Sequence, residues 1–107
     1  MLPLKPLELS ILIALEEDER YGYDIVRRIG ERSGGSVRLA PGNLYSVLDR
    51  MIAAGLIRQT ARQDSEDERR RYYATTALGR RVLLAEVARL REMLRTVDDL
   101  ALGGRVR

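Results

Sequence analysis

The chain has 107 residues, with 19 lysines and arginines against 16 acids (formal charge +3), and no Cys, His, Trp or Phe. A single-domain length and these absences exclude a disulfide framework, thiolate or imidazole ligands for metal or haem, and Cys–His or Ser–His–Asp catalysis. Carboxylate, Lys, Arg and Tyr chemistry is all that remains, so the expected trade is binding, with no enzyme activity, cofactor or metal site.

Pro6 suits a helix start, where a missing N–H costs nothing, and the spacing predicts a first helix over 7–17 whose only polar interior positions are Glu8 and Ser10. A helix apolar almost all round is buried on more than one side, and in so small a domain the second surface can come from another subunit. After the charged turn Glu16–Glu19, apolar residues at Tyr21 or Gly22, Ile25, Val26 and Ile29 give a second, amphipathic helix that stops at Ser33-Gly34-Gly35. A third opens at Pro41-Gly42-Asn43, places Leu44, Val47, Leu48, Met51 and Ile52 on one face, and ends at Gly55. Its opposite face shows Asn43, Tyr45, Ser46, Asp49 and Arg50.

Beyond Leu56 the helical period stops. Residues 56–62 and 69–75 read as a two-stranded hairpin with a charged tip over 63–68. Thr75 or Thr76 then caps a long final helix, in which Leu83, Val87, Leu90, Leu94, Val97 and Ala101 step by four and three as a heptad seam. That seam can pair with a second copy or pack on the first helix. Gly103-Gly104 ends the helix. The domain boundaries expected are 1–75 for a DNA-binding unit, 76–102 for a dimerisation helix and 103–107 for a tail, together forming one compact unit.

Charge is unevenly placed along the chain. Residues 1–37 carry −2, residues 38–81 carry +4 and residues 82–107 carry +1. Four of the five acids in the middle third are Asp64, Glu66, Asp67 and Glu68, at the expected hairpin tip. A basic middle is what a phosphate-facing surface requires, since each neutralised phosphate releases counterions. No apolar run is long enough to span a bilayer and no leader pattern opens the chain, so a cytoplasmic location and no membrane partner are expected.

The order is mainly α: three helices, a two-stranded wing and a long C-terminal dimerisation helix, the ingredients of a winged helix-turn-helix. In that geometry the third helix enters the major groove of double-stranded DNA. Asn43 and Ser46 can hydrogen-bond base edges or phosphates, Arg50 can pair with phosphate or guanine, and Tyr45 can donate to a phosphate oxygen. Pro41 and Gly42 leave backbone N–H groups exposed for phosphate at the helix start. Arg38, Arg62, Arg70 and Arg71 support from the flanks. Two plainer readings stand beside these: Tyr45 as a packing aromatic, and Arg69–Arg71 as partners of the acids at the tip.

The runs Tyr21-Gly22-Tyr23-Asp24-Ile25, Ala40-Pro41-Gly42-Asn43-Leu44-Tyr45-Ser46-Val47-Leu48, Ala54-Gly55-Leu56-Ile57 and Arg70-Arg71-Tyr72-Tyr73, leading to Thr76 and Gly79, resemble the PadR family of bacterial transcriptional regulators over residues 6–100. The resemblance implies a homodimer held by Leu83, Val87, Leu90, Leu94 and Val97. Each final helix would pair with its partner and lie on the partner's first helix, so that two winged helices read a near-palindromic operator. It also implies repression, relieved in several short members by a small-molecule effector. Two positions depart from the family pattern. Ala74-Thr75 replaces an Arg-Leu type pair and is expected to weaken the second wing strand, and the final helix has no Trp with which to stack a planar ligand. The alternative reading is a winged-helix module that binds protein rather than DNA.

Overall fold

A computed structural model describes residues 3–32, 34, 41–61 and 71–102. The elements run α1 (Pro6–Glu17), β1 (Arg20–Tyr21), α2 (Gly22–Arg32), α3 (Pro41–Ala53), β2 (Ile57–Gln59), β3 (Tyr72–Thr75) and α4 (Ala77–Leu102). The wing tip with its four acids, and Arg38, Arg62 and Arg70, lie outside the described residues, as does the tail over 103–107.

Each helix has a local cause. At the start of α1, the Glu8 carboxylate turns back to accept the Lys5 N–H at 2.9 Å, satisfying a donor just before Pro6. α3 ends where Gly55 takes φ +80°, a left-handed conformation that favours glycine. The Leu56 N–H then reaches the Met51 carbonyl and the Gly55 N–H the Ile52 carbonyl, both at 2.9 Å, closing the helix and turning the chain into β2. Thr76 caps α4: its Oγ1 accepts the Gly79 N–H at 2.9 Å and donates to the Gly55 carbonyl at 2.5 Å, so one side chain joins the end of α3 to the start of α4.

The sheet contains the expected two-stranded hairpin as β2 and β3 and adds a third strand, β1. It has three antiparallel strands in the order β1-β3-β2, with Arg20 opposite Tyr73, Tyr21 opposite Tyr72, Ile57 opposite Thr75 and Gln59 opposite Tyr73. β3 is therefore the central strand. Ala74 and Thr75 continue it, contrary to the weakening expected there, because β2 pairs with both, Arg58 opposite Ala74 and Ile57 opposite Thr75. On its far side, Tyr72 meets Tyr21 edge-on at 5.5 Å between ring centroids.

One core joins the elements. Ile11, Leu12 and Leu15 of α1, Ile25 and Ile29 of α2, Leu44, Leu48 and Met51 of α3, Tyr73 of β3, and Val82 and Leu83 of α4 are all buried together. Leu83 thus belongs to the chain's own core and is not available to a partner, which corrects its place in the expected dimer seam, and Val87 packs partly against the same core. Leu90 is half-buried, and from Arg91 to Ala101 every residue of α4 is exposed.

Candidate nucleic-acid interface

The heptad-like spacing of α3 places Leu44, Val47, Leu48 and Met51 in the core. By the same geometry Asn43, Tyr45, Ser46, Asp49 and Arg50 come to the surface on the other side. The five side chains form one polar face above the opening turn Pro41-Gly42. Beside it, β2 exposes Arg58 and Gln59, which the sequence reading did not select. Their signal was present but slight: Arg58 is the first basic residue after the glycine stop that ends α3.

Tyr45 is exposed and packed at once. Its ring is 45% exposed, yet its hydroxyl lies over the first residue of α2, where a Cβ on Gly22 would stand 2.7 Å from it. Gly22, Tyr23, Val26, Leu44 and Tyr45 enclose an apolar cleft of about 220 Å³ between the two helices. Tyr73 lies behind this face. Burial raises its phenol above the ordinary value, Tyr45 and Asp49 add to the rise, and Arg71, which hydrogen-bonds it, opposes the rise. The exposed Arg71 is thus held by β3 beside the residues of α3.

Electrostatics separates this face from β1 and α2. The arginines of β1 and α2 are committed internally. Arg20 and Arg27 bind Asp24 at 2.7 and 2.6 Å, Arg28 binds Glu17 at 2.5 Å, and Arg32 also pairs with Glu17. Burial alone would raise the Asp24 carboxyl, but its hydrogen bonds to Arg20 and Arg27 outweigh burial and hold it below the usual carboxylate range. Among the described residues, Arg50 and Arg58 have no such acid. Of the other predicted contacts, Arg38, Arg62 and Arg70 lie outside the described residues. Among the described residues no group of three acids is placed to hold a metal ion, and no helix is long and apolar enough to cross a membrane.

Three helices with a small antiparallel sheet beside the third, and a polar face on that helix that carries the unpaired Arg50, define a winged-helix transcription regulator. The family model described as "Transcriptional regulator PadR-like family" matches residues 11–85, and the chain belongs to that family. Accordingly it is a regulator of transcription and not an enzyme. It is similar to a PadR family transcription regulator from Clostridium difficile R20291, with 30% identity, TM-score 0.74 and coverage of 92% of this chain and 99% of that one. A PadR-like transcriptional regulator from Bacillus cereus has 29% identity, TM-score 0.74 and coverage of 88% and 89%. Bacillus subtilis PadR, solved in complex with operator DNA, shares the fold at 23% identity and TM-score 0.68, over 78% of this chain and 47% of that one.

Proposed function

We propose that the chain is a homodimeric repressor that binds a near-palindromic DNA operator through α3 and the wing. The observation carrying this reading is the contrast in arginine pairing. The cations of β1 and α2 are neutralised within the fold, whereas Arg50 and Arg58 meet solvent on one face with Asn43, Tyr45 and Ser46. Unpaired guanidinium groups next to short hydrogen-bonding side chains suit phosphate and base-edge recognition. The fold shared with a relative solved on operator DNA supports the same role.

The homodimer is supported by α4. Its 26 residues extend roughly 39 Å at helical rise, and Leu84, Met93, Leu94, Val97 and Leu100 on it are all more than half exposed. A helix that leaves the core with so much apolar surface suits pairing with a second copy through Leu90, Leu94 and Val97. The groove lined by Ser10, Ile13, Ala14 and Ile29 leaves α1 open to that copy as well. An effector bound between paired α4 helices would meet Leu, Val and Met side chains and relieve repression.

The test is a gel shift on operator DNA selected from a random library, at fixed salt. Wild type is expected to bind, with affinity falling steeply as ionic strength rises, and the double variant Tyr45→Phe, Arg50→Ala to bind at least tenfold more weakly. Undiminished binding by the variant removes α3 as the reading helix. Absence of DNA binding by the wild type favours the protein-binding alternative.

A further inference from the structure

Glu86 is the buried charged residue of the described core, at 1% exposure. Its Oε2 accepts the backbone N–H of Leu4 at 2.7 Å, across 82 positions of sequence. Arg89, one turn further along α4, grips the same carboxylate with Nε on Oε1 at 2.5 Å and Nη2 on Oε2 at 3.1 Å. Leu4 itself is buried in the core, and the next residue is held to α1 through Glu8. The segment before α1 is therefore stapled to α1 at one end and to α4 at the other.

The staple sits at the root of a projecting arm. Val82, Leu83 and Glu86 are the buried residues of α4 beyond its first turn, Val87, Arg89 and Leu90 are half-buried, and everything from Arg91 to Ala101 is exposed. An apolar side chain could fill the space of Glu86 without the cost of desolvating a carboxylate. What the carboxylate adds is direction: the Leu4 N–H bond ties α4 to the segment before α1 at one point, and Arg89, on the same helix, holds the carboxylate in the orientation that accepts it, where apolar packing would tolerate several.

We propose that Glu86, with Arg89 and the Leu4 amide, is a positioning clamp that sets the direction in which α4 leaves the winged helix, and through it the operator half-site spacing the dimer accepts. The inference rests on the dimeric reading above. The arm from Arg91 to Leu102 is roughly 18 Å long at helical rise, so a swing of about 15° at the clamp moves its tip roughly 5 Å, more than one base-pair rise. Half-site spacing mirrors the separation of the recognition helices, so an unclamped arm accepts more spacings.

Two measurements test the clamp. The chain has no cysteine, so spin labels at Gln59→Cys and Asp98→Cys report the angle between wing and arm within one chain when diluted into unlabelled protein. The second is binding to selected half-sites separated by spacers that vary in single base-pair steps. Wild type is expected to give a narrow distance distribution and at least a tenfold preference for one spacer. Glu86→Gln, and independently Arg89→Gln in case the first fails to fold, should broaden or shift the distribution by several ångströms and reduce the preference below threefold. Glu92→Gln, which breaks the exposed pair with Arg95 further out on α4, should change neither. Folded Glu86→Gln and Arg89→Gln proteins that keep the wild-type distances and spacer preference overturn the clamp. A wild type indifferent to spacing overturns the dimeric reading and the spacing role with it, while the distances alone then decide whether the clamp directs α4.

Discussion

The backbone of Leu56 occupies the space in which Gly79 would carry a side chain. A Cβ built on Gly79 meets the carbonyl oxygen of Leu56 well inside van der Waals contact, and stands 2.9 Å from its carbonyl carbon and from Thr75 Cγ2. The first turn of α4 therefore lies directly on the strand that leaves α3. In an exposed helix, replacing glycine by alanine adds up to about 1 kcal/mol of stability. Here Gly79→Ala is expected to destabilise by about 1–3 kcal/mol through overpacking against backbone that has nowhere to move, read as a lower urea midpoint with an unchanged slope.

Gly22 makes a similar close approach, but to the mobile end of a side chain. A methyl group there meets only the Tyr45 phenol, which can swing aside. Gly22→Ala is expected to change stability by less than about 1 kcal/mol, the range typical of small side-chain adjustments, and to lower DNA affinity by displacing Tyr45. A melting curve and a gel shift on the same preparation separate the two effects. Wild-type affinity in this variant would leave Tyr45 without a part in recognition.

The seam of α4 divides into an inner part buried in the chain's own core and an outer, exposed part that the proposed homodimer would cover. Leu94→Glu is expected to leave the melting of the winged helix unchanged at low protein concentration, because Leu94 is exposed and touches none of the core, and to give a monomer by light scattering. Leu83→Ala, by contrast, should cost about 2–5 kcal/mol of stability as a core truncation. A dimeric Leu94→Glu protein would move the contact off this face.

The pH dependence of stability follows from Glu86. The Arg89 guanidinium holds its carboxyl below the ordinary 4.5, burial opposes the shift, and the Leu4 amide reinforces it. A group lowered in the folded state contributes stability that is fully present above its unfolded value and is lost as pH falls through the folded one. Wild type should therefore exceed Glu86→Gln most at neutral pH, and the gap should narrow below about pH 4.5. Urea unfolding of both proteins at pH 7 and pH 3 checks the sign, and a gap that widens in acid contradicts the pairing.

The four helices were legible because each carries its own period and its own stop, Gly55 for α3 and Thr76 for the start of α4. Tyr45, Ser46 and Arg50 followed from the same periodicity, being what remains once Leu44, Val47 and Leu48 face inward. β1 was not legible, since two residues carry no alternation and Arg20–Tyr21 becomes a strand only because Tyr72–Tyr73 passes beside it. Glu86 gave no local signal either. Beside Val87 in a heptad it reads as a solvated flank, and its burial depends on Leu4, 82 positions away. The seam misled at Leu83 for a related reason: spacing shows which residues share a face, but not which neighbour covers it.

The outer turns of α4 tie secondary structure to concentration. From Arg91 to Ala101 every residue of the helix is exposed, and a stretch of about twelve residues is marginal for a helix alone in water. In the proposed homodimer, their backbone hydrogen bonds persist to the extent that a second molecule is present. Helical content measured by circular dichroism should rise with protein concentration by a few turns per chain, and amide exchange over 91–102 should slow in step, while α1 to α3 stay unchanged. On the dimeric reading, dilution is in effect a mild denaturant that acts on a single helix end.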